Sequence, residues 1–242
     1  MKKQKLEFAD HETQEERQLW WDKELECVKF SYPIPCYNIS PALEYHPKWI
    51  REGEKPKNCV DIGANVGCFS HYAAPHFENV YAFEAVNNTY KVACENLKND
   101  MNVQIYNLAA YKESNHEISI FAPETALSRD SSIYTLHGGS IYTSDDSNTY
   151  ELTKTISLEH IFGLCNIDMI DYLKVDCEGA EYDLLMNKDL SRINFMVVEF
   201  HPGFLGKEKM KELIMHIKKF FNLQFMLGHW IGFYEKKVDD VT

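Results

Sequence analysis

The sequence lacks every close pairing of thiols. Its seven cysteines, at positions 27, 36, 59, 68, 94, 165 and 177, form no CxxC pair and are odd in number. Neither a disulfide framework nor a thiolate metal site is therefore expected, and the cysteines read as reduced, buried small hydrophobes. Ten histidines are scattered with no HxxxH or HExxH, so no preformed zinc site is implied. No apolar run approaches the roughly 20 residues that a spanning helix needs. The first residues, "MKKQKLEFADHETQEERQ", are basic without an apolar stretch behind them, which argues against a secretory signal and for a cytoplasmic location. Basic residues are too few for a polyanionic partner: 25 Lys and Arg face 37 Asp and Glu, a net charge of −12. Binding to a phosphate backbone is mainly electrostatic, so a small molecule or a neutral or cationic partner is expected rather than nucleic acid.

The 242 residues that remain to be explained are 45% apolar and 26% charged, the profile of a globular chain. Residues 1–57 read as an N-terminal extension or lid. They hold a charged, Trp-bearing segment from Glu15 to Phe30 and a proline-punctuated stretch, "SYPIPCYNISPALEYHPKWI". From residue 58 to 242 a single α/β domain is expected. "NCVDIG" is a strand, "VGCFSHYAAPHF" a helix that Pro75 helps to stop, and "NVYAFEA" a second strand. "NNTYKVACENLKND" predicts a helix with Tyr90, Ala93, Cys94 and Leu97 on one face, and "VQIYNLAA" a third strand. "HEISIFA" reads as an extra strand, and residues 123–153 as a long polar loop. The alternation resumes with helix "SLEHIFGLCN", strand "IDYLKVDC", helix "AEYDLLMNKDL", strand "NFMVVEFH" and an amphipathic helix, "GKEKMKELIMHIKKFF", whose Met210, Leu213, Ile214, Ile217 and Phe221 point inward. "LQFMLG" and "WIGFYEK" close the chain as an antiparallel hairpin. Alternating strands and helices require right-handed crossovers, hence a Rossmann-like, seven-stranded, mostly parallel sheet whose last hairpin supplies the antiparallel strand.

In such a sheet, ligands bind beyond the carboxyl ends of the strands where strand order reverses. The first strand ends in "VDIGANVG". Gly63 and Gly67 would let the turn approach a ligand and the helix pack against the strand, although a plain tight turn would use the same pair. The GxGxxG of the dinucleotide folds is absent, and Asp61 would repel a pyrophosphate, so the loop suits a nucleoside without phosphates. Glu84 ends the second strand 23 residues later, near the ~20-residue offset at which an acid grips ribose hydroxyls. An acid at a strand end can also be plain solvated surface. "LKVDCEGAE" and "VVEFH" bring Asp176, Glu178, Glu199 and His201 to the same rim. Such a cluster can act as a base, hold a hard metal ion, or attract a cation. Glu178, more than Asp176 or Glu199, can equally be a helix cap. The tryptophans at 20, 21 and 49, and "GGSIYTSDDS" with Ser140 and Tyr142 beside Gly138 and Gly139, read either as acceptor-binding elements or as ordinary packing and loop.

"VDIGANVG", "YAFEA", "LKVDCEGAEYDLL" and "VVEFH", in this order, resemble the FkbM-type family of S-adenosylmethionine-dependent methyltransferases over residues 58–203, with "KVDCEGAE" the most specific element. The resemblance implies that Asp61, Gly63, Asn65 and Gly67 surround the methionine part of S-adenosyl-L-methionine. It implies that Glu84 holds the ribose, that Asn107 lies by the adenine, and that Asp176 sits near the transferred methyl. Ala85 stands where the family often has proline. The reaction expected is O-methylation of a hydroxyl on a small molecule or a carbohydrate. Asp176, His201 and Glu199 are the candidate catalytic residues, and the same three are the candidate ligands of a divalent metal whose need is open. N-methylation of a small amine, a nicotinamide-dependent oxidoreductase and a non-catalytic nucleoside-binding module are the rival expectations.

Overall fold

A computed structural model describes residues 55–121, 150–227 and 231–237. The three tryptophans at 20, 21 and 49, most of the extension, and Gly138, Gly139, Ser140 and Tyr142 lie outside the described residues. The elements in chain order are β1 (Asn58–Ile62), α1 (Cys68–Ala73), β2 (Asn79–Phe83), α2 (Asn87–Leu97), β3 (Val103–Tyr106), β4 (Ala109–Ala110), β5 (Glu117–Phe121), β6 (Tyr150–Ile156) and α3 (Leu158–Cys165). They continue with β7 (Ile170–Val175), α4 (Glu181–Leu185), β8 (Ile193–Glu199), α5 (Pro202–Leu205), α6 (Lys207–Phe220), β9 (Phe221–Leu227) and β10 (Ile231–Lys236).

Seven strands form one sheet in the order β3-β2-β1-β7-β8-β10-β9. The first five run parallel, and β10 inserts antiparallel between β8 and β9. This is the expected doubly wound sheet, with order reversing between β1 and β7. Strand side chains alternate between faces, and both faces are covered. On one side Cys59, Val80, Tyr172, Val197 and Phe233 pack against Phe69 and Ala73 of α1 and against Phe77. On the other, Val60, Ile62, Leu173, Val175, Met196 and Val198 pack against α3, α4 and α6. Phe69 and Phe77 each set a ring about the fully buried Tyr172, with centroids 6.0 and 5.9 Å away. Each such aromatic burial stabilises the fold by about 1.5–3 kcal/mol.

Several boundaries differ from the sequence expectation for identifiable reasons. "VQIYNLAA" does not form one strand. The run breaks at Asn107, so β3 ends the large sheet while β4 joins a separate three-stranded sheet, β4-β6-β5. The polar loop also ends early, because residues 150–154 of β6 pair antiparallel with β5, and Thr155 and Ile156 pair with β4. The buried face of α2 is Ala93, Asn96 and Leu97, with Cys94 only partly buried. Asn96 is admitted because its amide donates to the Val66 carbonyl at 2.8 Å. The helix after β7 is a single short element, its chain leaving helical geometry at Met186.

The turn after β1 fixes the crossing. Gly63 has φ +76°, and a Cβ there would overlap the main-chain oxygen of Asp176. Gly67, at φ +91°, opens α1, and a Cβ there would lie 2.9 Å from the Leu97 side chain of α2. The first glycine therefore serves the β1–β7 contact and the second serves helix packing. Gly63→Ala adds left-handed backbone cost to a clash with main chain that cannot rotate away. Urea unfolding should show a loss of at least about 2 kcal/mol, and a variant as stable as the parent would contradict this account of the turn.

Candidate active site

Asp61 and Lys174 face each other directly across β1 and β7. Both lie on the α1 side of the sheet, following the alternation that places Cys59 and Tyr172 there. Asp61 is wholly buried and Lys174 is 3% exposed. The ammonium stands 3.1 Å from Asp61 Oδ1 and 3.7 Å from Asp176 Oδ2. It donates to the Gly63 carbonyl at 2.7 Å. Ser70 of α1 donates to the other Asp61 oxygen at 2.6 Å. Burial works to lower the Lys174 pKa, but Asp61 and Asp176 outweigh it and push it up. The pair joins the two strand ends at the point where the sheet order reverses.

Glu84 sits one residue beyond β2 and is buried. Its two oxygens accept the main-chain N–H groups of Asn65, at 2.9 Å, and Val86, at 2.8 Å. Burial pushes Glu84 up to about 7, against the pull of these donors. Asn107 donates from its side-chain amide to the Glu84 and Ala85 carbonyls at 2.9 and 3.0 Å. Thr153 donates to Ala85 at 3.0 Å, so the small sheet holds the same turn from the other side. Asn65, at φ +52°, takes a left-handed conformation that asparagine tolerates well.

At the ends of β7 and β8, one candidate ligand atom from each of Asp176, Glu199 and His201 lies within 4.8 Å of the others. This set could hold a divalent cation. His201 Nε2 is 3.4 Å from Glu178 Oε2 and 3.7 Å from Asp176 Oδ1. Its Nδ1 is 2.7 Å from Oε1 of the wholly buried Glu181. Burial lowers the imidazole pKa, yet the surrounding carboxylates, Glu181 first, raise it to about 9. Burial pushes Glu178 up to about 7, with His201 acting in the opposite sense. Glu178 does not cap α4. No side chain caps that helix, and Glu178 adopts φ +49° with its carboxylate turned to the histidine.

A family model described as "Methyltransferase FkbM domain" matches residues 61–236. The chain belongs to the FkbM methyltransferase family. A hexuronic acid methyltransferase of Haloferax volcanii is 28% identical over 166 residues, covering 68% of this chain. The chain spans 64% of that relative's length. Similar solved structures include TrmK of M. capricolum with S-adenosylhomocysteine, at 9% identity and a TM-score of 0.45, covering 83% of this chain and 68% of that one. Another is a precorrin-6y C5,15-methyltransferase from Geobacter metallireducens, at 13% identity and a TM-score of 0.43, covering 82% and 86%.

Within this FkbM domain the strand-end residues singled out in the sequence form two groups. Asp61, Gly63, Asn65, Glu84 and Asn107 surround the turns after β1 and β2; Asp176, Glu199 and His201 form the rim after β7 and β8. Gly67 belongs with α2. Three polar residues went unremarked in the sequence: Ser70, Lys174 and Glu181. Lys174 carried a signal, since a cation within the buried end of a central strand must have a buried partner. Ser70 and Glu181 carried none, because their partners lie on other elements.

The Glu84 environment sets a pH dependence. Its pKa is raised from the usual 4.5 to about 7 in the folded chain, so the stabilisation this group contributes is complete below pH 4.5 and is lost as pH rises through 7. The loss amounts to about 3 kcal/mol at most. Chemical denaturation from pH 4.5 to 7.5 should therefore show stability falling more steeply in the parent than in Glu84→Gln; parallel curves would refute the assignment.

Proposed function

We propose that the protein is an S-adenosylmethionine-dependent O-methyltransferase that acts on a hydroxyl of a small molecule or sugar, with hexuronic acids the acceptor class to examine first. The observation that carries this reading is the convergence of Asp176, Glu199 and His201 at the ends of β7 and β8, beside the glycine turn where the sheet order reverses. Residues 58–242 would form the catalytic domain and residues 1–57 its lid. The hexuronic acid methyltransferase of Haloferax volcanii supports the acceptor class.

The donor set suits this cofactor. Glu84 has acceptor capacity beyond its two main-chain partners, which a ribose diol can use. Lys174 is held by Asp61 and the Gly63 carbonyl, leaving it unavailable to a phosphate. An acid-rich rim favours a sulfonium centre and disfavours a pyrophosphate. The residues that would hold the cofactor are those of the Gly63 turn, Asn65, Glu84 and Asn107, with Asp61 acting from beneath the turn. When bound, the cofactor supplies an already activated methyl group. The chain's own task is then to align the acceptor oxygen, exclude water and take the hydroxyl proton on an Asp176 or Glu199 carboxylate oxygen or on His201 Nε2. The same three side chains holding a divalent cation would lower the pKa of the hydroxyl instead.

Calorimetry should show S-adenosylmethionine binding to the parent and its loss in Glu84→Ala; no binding, or equal binding by both, would sink the donor assignment. S-adenosylhomocysteine release should then appear with glucuronic or galacturonic acid or their glycosides, and fall about 100-fold or more in Asp176→Asn. Repeating the assay with a chelator separates the two uses of the rim. Turnover confined to amine acceptors would overturn O-methylation.

A further inference from the structure

We propose that Glu181 is a positioning residue for His201: its buried carboxylate holds the imidazole through Nδ1 and so presents Nε2 to the acceptor rim. The inference rests on the reading of His201 given under Proposed function, and it adds a residue that this reading does not use.

Glu181 opens α4 and is 0% exposed. Burying a carboxylate costs several kcal/mol unless its charge meets good partners. An acid that merely favoured a helix N-terminus would do so equally well at the surface. Glu181 instead points inward, where Oε1 lies 2.7 Å from His201 Nδ1 and accepts the Gly179 N–H at 3.0 Å. Oε2 has no hydrogen-bond partner among the described residues. The chain is shaped to deliver this contact: Glu178 and Gly179 take φ values of +49° and +104° in succession, turning the chain sharply between β7 and α4.

The ring has an aromatic neighbour besides the carboxylates. His201 immediately precedes Pro202, which starts α5, and the Phe204 ring lies 6.5 Å away centroid to centroid. A carboxylate acceptor at Nδ1 requires the proton there, so a neutral ring must carry its lone pair on Nε2. That nitrogen faces Glu178 and Asp176 at 3.4 and 3.7 Å. Carboxylate–histidine pairs fix tautomer and ring orientation in this way at many reactive centres. Without Glu181, the imidazole could turn over and offer the wrong nitrogen to the acceptor.

The alternative is that Glu181 only secures the turn through the Gly179 N–H, and the spectrum of the histidine ring distinguishes the two without any acceptor. In the 15N-labelled full-length protein, followed through the titration of the ring, His201 should keep a protonated, hydrogen-bonded Nδ1 once the imidazole is neutral, and that signal should shift or disappear in Glu181→Gln. An unprotonated Nδ1 in the parent, or an unchanged ring signal in Glu181→Gln, overturns the proposal; the parent spectrum decides even if the variant fails to fold. With glucuronic acid as acceptor, Glu181→Gln should lower kcat about 10–100-fold with KM unchanged. The same substitution should have no further effect in a His201→Ala background. An equal loss in that background would mean that Glu181 acts independently of the ring, and would also overturn the proposal. Unchanged kcat in His201→Ala alone strikes the base reading of His201 instead, and the ring signal then decides whether Glu181 holds the imidazole.

Discussion

The meeting of the β1 and β7 ends depends on the Asp61–Lys174 pair. Removing two charges from water costs several kcal/mol per ion, and only close geometry with further hydrogen bonds offsets it. Here Ser70 satisfies one carboxylate oxygen, Lys174 faces the other, and the same ammonium binds the Gly63 carbonyl. An apolar pair could stabilise the sheet at least as well. What the ionic pair adds is direction: it pins the Gly63 turn against the end of β7. Asp176, two residues beyond Lys174, then emerges beside that turn.

The Glu84 turn is held by a different means. Its carboxylate bridges two main-chain N–H groups, from Asn65 after β1 and Val86 after β2. Asn107 and Thr153 satisfy the carbonyls of Glu84 and Ala85 from β3's end and from β6. The small sheet thus closes over the β2 turn, and its buried Ala109 and Ile120 make apolar contact with Val86. Two turns are thus tied by hydrogen bonds within the protein, an arrangement that would reduce the ordering cost of binding a ligand.

The sheet itself was legible because its signal is local. Apolar runs closing on Asp61, Glu84, Asp176 and Glu199 mark strand ends, and 3.6-residue periodicity marks α6 after the last of them. Failures came where non-local pairing decides. Nothing within "VQIYNLAA" says that Ala109 and Ala110 will pair with Thr155 and Ile156 in a second sheet. Asn96 is polar, so the periodic pattern excludes it from the buried face of α2, and the Val66 carbonyl that admits it is 30 residues away. Glu178 looked like a helix cap, since a cap is the local use of an acid there. The residue that takes up the buried position is Glu181, and its partner His201 arrives from the next strand. Individual strand ends could be read from the sequence, but the contacts between them could not.

The acid count of the rim follows from the same architecture. Asp61, Asp176, Glu178, Glu181 and Glu199 lie around the ends of β1, β7 and β8, with Lys174 and His201 as the cations among them. Lys174 is fixed beneath the glycine turn, so its charge is committed to holding the backbone. His201 is the cation that remains at the surface of the cluster, drawn to about 9 by the carboxylates around it. Any cation entering the rim, whether a sulfonium centre or a metal ion, competes with the imidazolium proton for those same carboxylates. Entry of such a cation would therefore be linked to the protonation of His201.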